Sequence, residues 1–451
     1  MRPFVRFRYA VTFMRLVALD WVNFLLADVR GGLGAYVNVY LLTDAHWSQA
    51  TIGAVLTVSG LTGIMLHPLV GAWIDKMRGK RALLIASTVV LSVCGLAVVW
   101  APTIPVVLAA DITMAVLGGV FAPVVAAITV GVVSRDALPA RLGRNAIFDR
   151  VGNVFMAVVM GIFGTIYSQG TPFFLLPVFA ALAIVAVLAI PARAIDHERA
   201  RGLAMEDTGA LRRPERWRVL FRSRPLVVFA VAAAIFHFAN GPLLLLVAQK
   251  LALAHAGYET GLTSAAIIIT QLATIPMALL VTSANALGRK PLVIIAFAAV
   301  PLRGLLCASS DNPSWLLGVQ LLDGVGAGMY DALLPLLLAD MMRGTGRYSL
   351  ARGAFGTIQG IGGSTGFGAA GFIVAAFSYN AAFLTLAAIA VIALLVMVVA
   401  MPETRPTTGK LDQPPPASAA SSNEVRDLGN STVHAARMRL GNQSSPRTTT
   451  K

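Results

Sequence analysis

Among the ionisable side chains inside mostly apolar stretches of the sequence, six are candidates for chemistry. They are Asp28, Arg30, Asp111, Arg303, Asp323 and Asp331. An ionised side chain at the centre of a bilayer helix costs about 2.5–3.5 kcal/mol on insertion scales, so such groups face water or one another. The chemistry open to them is therefore proton exchange, binding of a charged solute, or mutual neutralisation.

Asp28 and Arg30 occur together in the stretch FLLADVRGGLGAYVNVYLL. Two residues on a helix are separated by about 200°, so these side chains cannot share a face. Arg30 continues a polar stripe from Asn23, whereas Asp28 lies on a close-packing stripe with Gly31 and Gly32. We expect one of the two charges to line a polar pathway and the other to be held by a neighbouring helix.

Four further residues can be placed by helical geometry. Asp323 and Tyr330 are seven residues apart and share a helix face, with Asp331 about 80° away. Arg303 lies at a similar depth to Asp323, roughly 11 Å against 14 Å from the outer ends of adjacent stretches at 1.5 Å per residue. This depth indicates that the two can form an ion pair.

His237 adds an imidazole to this set, and it lies 209 residues after Asp28. Its ordinary pKa makes it a natural proton carrier, although a lone histidine is also commonly a satisfied hydrogen-bond donor. Asp28, Asp111, Asp331 and His237 are thus candidates for a proton relay or a solute site, with structural hydrogen bonding as the alternative.

The elements that must position these residues are membrane helices. The chain has 451 residues, of which 57% are hydrophobic and 13% charged, which indicates an integral membrane protein. Twelve apolar runs are long enough to cross a bilayer. They are approximately 16–42, 48–74, 82–100, 103–133, 146–168, 171–191, 225–250, 259–283, 291–310, 313–341, 351–377 and 380–401.

The formal charge of +15 is a topology signal. Lys and Arg number 4 in loop 75–81, 3 in loop 134–145 and 9 in loop 192–224, whereas the intervening turns have at most one. This alternation predicts cytoplasmic N- and C-termini. It also argues against a nucleic-acid partner, since no basic face is interleaved with aromatic residues.

The chain reads as two halves with a weak internal repeat. We expect a six-helix bundle in 1–191, a cytoplasmic loop in 192–224, a second six-helix bundle in 225–401 and a disordered cytoplasmic tail in 402–451. Features matching at an offset of 208 or 209 residues are Gly32 with Gly241, Gly53 with Gly261, Pro68 with Pro276, the turn 79–81 with 288–290, and 144–146 with 352–354.

Several glycines have the small-xxx-small spacing that allows membrane helices to approach closely. The pairs are Gly356/Gly360, Gly362/Gly366 and Gly324/Gly328. The segment GFGAAG (366–371) matches a dinucleotide-binding fingerprint by letter, but it lies inside an apolar run and not between a strand and a helix. Cys94 and Cys307 lie inside predicted spans, so no disulfide is expected.

The segment GAWIDKMRGKR (71–81) resembles the cytoplasmic signature of the major facilitator superfamily. Gly71, Asp75, Lys80 and Arg81 carry the resemblance, although Arg78 stands where that family usually has glycine. The second-half counterpart keeps Gly288, Arg289 and Lys290 but has Asn285 near the expected acid, and PETR (402–405) is also common in the family.

This resemblance implies an all-α fold of two pseudo-symmetric six-helix bundles around a central cavity. The first, fourth, seventh and tenth spans would line the cavity, which places Asp28, Asp111, His237, Asp323 and Asp331 on its walls. The ninth span would be peripheral, so Arg303 would serve as a structural partner of Asp323. The signature residues would form a cytoplasmic gate.

The function expected on these grounds is secondary active transport of a small organic solute by alternating access, with proton coupling, in the bacterial inner membrane. An uncoupled facilitator and a non-transporting membrane sensor or scaffold are the alternatives. The expected partners are the solute, protons and membrane lipid, and the protein is expected to be a monomer. No enzyme activity, cofactor or metal site is predicted, and the charge of the solute stays open.

Overall fold

The structure is a computed structural model. It describes residues 16–27, 29, 33–77, 79–133, 137–191, 223–281, 287–342 and 348–404, all of which belong to one compact unit. Asp28 and Arg30, most of the central loop (192–222) and most of the tail (405–451) lie outside the described residues. The predicted domain boundaries at the central loop therefore stay predictions.

The described residues are almost entirely α-helical. The helices are α1 Leu16–Ala27, α2 Gly34–Thr43, α3 Gln49–Lys76, α4 Lys80–Trp100, α5 Ile104–Val132, α6 Leu138–Ile166, α7 Thr171–Leu188, α8 Arg224–Ala254, α9 Glu259–Val281, α10 Arg289–Ser309, α11 Pro313–Val319, α12 Leu321–Met341, α13 Tyr348–Ala376 and α14 Tyr379–Ala400.

Ten spans within the described residues are long and apolar enough to cross a membrane, with α11 and α12 counted as one. The two other predicted spans correspond to α1 with α2 and to α13. Leu33 has a left-handed backbone (φ 61°) directly before α2, and α13 has 29 residues of which eight are glycine. The architecture is consistent with the predicted twelve spans.

Each half of the chain has its own apolar core. Buried side chains between Ala18 and Ile190 form one cluster, and those between Leu226 and Met401 form another. The outward-facing surfaces carry large apolar side chains such as Val399, which is 82% exposed. Apolar residues on the outside of a helical bundle are what a lipid environment requires.

The two halves meet along two main seams, α3 against α13 and α6 against α9, with a smaller contact of α2 on α8. We define the closed end as the end that carries loops 44–48, 167–170 and 255–258. The open end carries the described residues 77, 79, 133, 137 and 342, at the ends of α3, α4, α5, α6 and α12.

At the closed end the helices of each seam touch. The Thr57 hydroxyl on α3 donates to the Ser364 carbonyl oxygen on α13 at 2.7 Å, and a Cβ added at Gly161 on α6 would collide with the Ser264 side chain on α9. The hydroxyl groups of Tyr36 on α2 and Ser264 lie 2.9 Å apart. Toward the open end α3 and α13 diverge around a cleft of about 560 Å³. Its lining consists of Ile64, His67, Pro68, Leu350, Gly353, Ala354, Gly356 and Thr357.

Close helix approach explains most of the paired glycines. A Cβ added at Gly362 or Gly366 would collide with the backbone of α8, at Ala234 and Phe238 respectively. Gly324 and Gly328 approach α9 in the same way. The prediction was wrong for Gly356, because nothing lies within 4 Å of its would-be Cβ at the widening end of the seam.

Gly366→Ala should therefore destabilise the protein, because the added methyl group would push α13 away from the Phe238 carbonyl oxygen on α8. Overpacking of this kind typically costs about 1–3 kcal/mol. Gly356→Ala is the matched control on the same helix, and it should be neutral or stabilising since alanine is about 1 kcal/mol better than glycine in a helix. Thermal unfolding of the two purified variants measures the difference, and equal melting temperatures would contradict the described packing.

Candidate functional site

Arg150 on α6 and Gln271 on α9 join the two halves at mid-depth. The Arg150 Nη1 donates to Gln271 Oε1 at 2.9 Å. Arg150 lies 12 residues from the start of α6, and Gln271 lies 12 residues from the start of α9. Because the two helices run in opposite directions, both residues are about 18 Å from their respective ends. A charged group from the first half is thus held near the centre of the membrane-spanning region.

Asp331 presents an acid at a similar depth in the second half. It lies 10 residues from the last residue of α12, which places it about 15 Å from the open end. Its side chain is exposed, and it has no hydrogen bond or ion pair with any residue that the structure describes. Three residues before it, Gly328 packs on Thr274 of α9, about one turn from Gln271. Arg150 and Asp331, from opposite halves, therefore both lie beside this stretch of α9.

Tyr330 and His237 lie beside this acid but inside the second bundle. Tyr330 is buried, its hydroxyl oxygen accepts a hydrogen bond from Gln359 Nε2 at 2.6 Å, and its ring stacks on Phe236 with centroids 5.0 Å apart. The His237 ring contacts Tyr330 edge-on at 4.9 Å, and its Nδ1 donates to the Ala233 carbonyl oxygen at 2.9 Å. Tyr330 thus belongs to an aromatic cluster with Phe236 and His237, and it directly precedes Asp331 in the chain.

The structure brings Arg303 and Asp323 together in a buried polar cluster. Arg303 Nη1 lies 2.6 Å from Asp323 Oδ1, and its Nη2 donates to Gln320 Oε1 at 2.6 Å. Asn240 on α8 donates to Asp323 and accepts from Arg303. Gln320 is the residue at which the predicted tenth span divides into α11 and α12. This cluster ties α8, α10 and α12 together within the second half.

Asp111 lies between α3 and α5 in the first half. Ser59 donates its hydroxyl hydrogen to Asp111 Oδ2 at 2.8 Å, and the acid is half-buried. It therefore contributes to the packing of these two helices. Asp28 and Arg30 lie outside the described residues, so their predicted roles stay predictions.

The first half of the predicted gate is described only in part. Lys80 is buried and its Nζ donates to the Ile74 carbonyl oxygen at 3.2 Å. Arg81 Nη2 donates to the Leu188 carbonyl oxygen at 3.3 Å. Gly71 has nothing within 4 Å of a would-be Cβ, and the side chain of Asp75 is not among those described.

The second half of the predicted gate is organised by Glu403 of the PETR segment. The Glu403 carboxylate accepts from the backbone N–H groups of Arg289 and Lys290, at 2.9 and 3.0 Å. An acid at a helix N-terminus satisfies free N–H groups and complements the helix dipole. Gly288 supplies the positive φ of 92° that this start of α10 needs, and Arg289 pairs with Asp340 on α12 at 3.1 Å.

Two charged groups of importance were missed in the sequence analysis. Asp20 on α1 is buried and pairs with Arg141 at 2.7 Å and Arg144 at 2.8 Å on α6. Arg150 was missed as well. Each residue falls inside a predicted apolar run, so a complete census of charges in those runs would have found Asp20 and Arg150.

Comparisons with known proteins agree with this architecture. The sequence model of the Major Facilitator Superfamily matches residues 20–284 and 233–431. Proteins from two strains of Mycobacterium tuberculosis, each named an uncharacterised MFS-type transporter, are 40% identical over 405 residues, which is 87% of this chain and 96% of theirs.

Solved transporters share the fold at low sequence identity. A mutant of the nucleoside transporter NupG superposes with a TM-score of 0.73 at 14% identity, covering 86% of this chain and 100% of NupG. A mutant of the peptide transporter POT in complex with sulfate gives a TM-score of 0.67 at 13% identity, over 86% and 93% of the two chains. The chain belongs to the major facilitator superfamily, and it is an integral membrane transporter of this fold.

The buried cluster around Arg303 yields a stability prediction. Arg303→Met should cost about 3–5 kcal/mol, because it leaves the Asp323 carboxylate buried without its cation. The double variant Arg303→Met with Asp323→Leu should lose less than the single variant, since both charges are then gone. Asp311→Asn is the control: the Asp311 side chain is 78% exposed where it pairs with Lys250, and loss of such an exposed charge costs about 1 kcal/mol at most. Thermal unfolding in detergent measures all three, and wild-type stability of Arg303→Met would contradict this reading.

Proposed function

We propose that the protein is a secondary active transporter that moves a small organic solute by alternating access between its two halves. One observation carries this proposal. The halves touch at the closed end and part toward the open end, and charged residues from each half, Arg150 and Asp331, both lie beside α9 at mid-depth. A solute bound there would be reachable from one end only.

The contacts between the halves at the closed end are weak enough to be broken. Its seams consist of small residues in contact, such as Gly53 against Gly371 on α3 and α13 and Gly161 against Ser264 on α6 and α9. Few hydrogen bonds cross them, and each contributes only about 0.5–1.5 kcal/mol net. A difference of a few kcal/mol between two arrangements is what a solute can shift by binding one of them better.

The positions of the basic loops support a cytoplasmic open end. Loops 75–81 and 134–145 carry 4 and 3 Lys or Arg residues and lie at the open end, whereas loop 43–47 at the closed end carries none. By the positive-inside rule the open end faces the cytoplasm. The proposed location is the bacterial inner membrane, with both termini inside.

We assign proton coupling to Asp331. It is the embedded acid that has no described partner and that reaches accessible space, whereas Asp323 is neutralised by Arg303 and Asp111 accepts from Ser59. A carboxyl whose surroundings change between two arrangements of the halves can bind a proton in one and release it in the other.

Alternating access predicts opposite distance changes at the two ends. In a background with Cys94 and Cys307 replaced, spin labels at His46 and Tyr258 report the closed end, and labels at Leu69 and Leu350 report the open end. Pulsed electron resonance in lipid nanodiscs should show a short closed-end and a long open-end distance. Gly371→Leu should reverse this order, because the side chain would collide with Gln49 and Gly53 on α3. Gly356→Leu is the control, and distances unaffected by Gly371→Leu would contradict a movable seam.

The proton assignment is tested with Asp331→Asn in proteoliposomes, using a solute found by thermal-shift screening. The variant should lose uptake driven by a pH gradient yet keep counterflow exchange, because asparagine cannot carry the proton but preserves the size of the site. Asp311→Asn at the exposed closed end is the control and should behave as wild type. Normal pH-driven uptake in Asp331→Asn would refute the assignment, and wild-type flux insensitive to uncouplers would favour an uncoupled facilitator.

A further inference from the structure

The mid-depth site offers hydrogen-bond donors on one wall. Arg150 has five N–H donors, and among the described residues only Gln271 accepts from it, through Nη1. Its side chain is half-buried. That single bond fixes the guanidinium in place and leaves one flat edge free, which is the geometry that binds a carboxylate through two parallel hydrogen bonds.

The opposite wall offers acceptors. Both carboxylate oxygens of Asp331 lack a described hydrogen-bond partner, and the side chain is exposed. Arg150 and Asp331 do not pair with each other, since no described basic group lies within 4.0 Å of Asp331. Arg150 is hydrogen-bonded to Gln271 instead, so the guanidinium and the carboxylate stay available to a third group.

We propose that the transported solute is a zwitterion, whose anionic group binds Arg150 in the first half while its cationic group binds Asp331 in the second. This inference rests on the proposed transport function and names its substrate class. Such a solute neutralises both walls at once and joins the two halves. A purely anionic solute would leave the Asp331 carboxylate without a counter-charge, and a purely cationic solute would leave the Arg150 guanidinium without one, so each would satisfy only one of the two groups.

Arg352 does not alter this assignment. It lies four residues from the start of α13, about 6 Å from the open end, whereas Asp331 lies about 15 Å deep. Arg352 is exposed and sits nearer the mouth. It can attract the anionic group during approach without occupying the same level as the bound solute.

Thermal-shift measurements on the purified full-length protein test the proposal with matched probes. The panel contains free amino acids, dipeptides and ω-amino acids of increasing charge separation, together with the N-acetyl derivative (anion only) and the methyl ester (cation only) of each. At least one zwitterion should raise the melting temperature, and its two blocked derivatives should shift it at least tenfold less at equal concentration. No shift by any zwitterion, or an equal shift by a blocked derivative, would overturn the proposal.

Charge variants identify the two contacts. Asp331→Asn should bind the N-acetyl derivative as well as the zwitterion, and Arg150→Gln should do the same with the methyl ester. The double variant Arg150→Asp with Asp331→Arg should regain zwitterion binding that each single reversal abolishes. Asp311→Asn should match wild type. Loss of selectivity in the control, or failure of the double reversal to restore binding in protein that unfolds at the wild-type temperature, would contradict the assignment.

The outcomes separate this proposal from the proposed function. If a nucleoside or sugar panel drives currents on a solid-supported membrane while no zwitterion does, the protein transports but the substrate class is wrong. If the two spin-label distances never exchange order and no panel produces flux, the transport function itself fails.

Discussion

The requirement that every charge within a bilayer find a partner or water governs this structure. Arg303 meets it with Asp323, Gln320 and Asn240, and is fully buried. Asp20 meets it with two arginines. Among the described acids named above, only Asp331 satisfies this requirement by being exposed to space that water can reach. Unfavourable desolvation thus divides the embedded charges into those that hold helices together and those that face the gap between the halves.

The same division explains how rigid bundles can enclose a changeable space. Within each half, buried ion pairs and an apolar core hold the helices together, and the Arg303–Asp323 pair does this for α10 and α12. Between the halves the contacts are glycines, small side chains and isolated hydrogen bonds. Strong interactions lie within halves and weak ones between them, so relative motion costs less at the seams than inside either bundle.

Composition and periodicity predicted the helical membrane architecture, because length and hydropathy are properties of each segment alone. The matching depths of Arg303 and Asp323 and the Gly362/Gly366 spacing likewise follow from 1.5 Å per residue and 3.6 residues per turn. Arg150 could not be assigned a role in this way. Its partner Gln271 is 121 residues away in the other half, and only the three-dimensional seam brings the two together. The widening of the α3–α13 seam at Gly356 could likewise not be predicted from residue spacing.

Transport by this route requires that Asp331 face water and not lipid or a solid interior. Asp331→Cys in a background without Cys94 and Cys307, in sealed vesicles, can be treated with a charged, membrane-impermeant thiol reagent. Rapid modification from the open end is expected at position 331, while Arg303→Cys should stay protected in the buried cluster. No reaction at position 331 with the aqueous reagent, together with quenching of a label there by lipid-phase nitroxides, would contradict it.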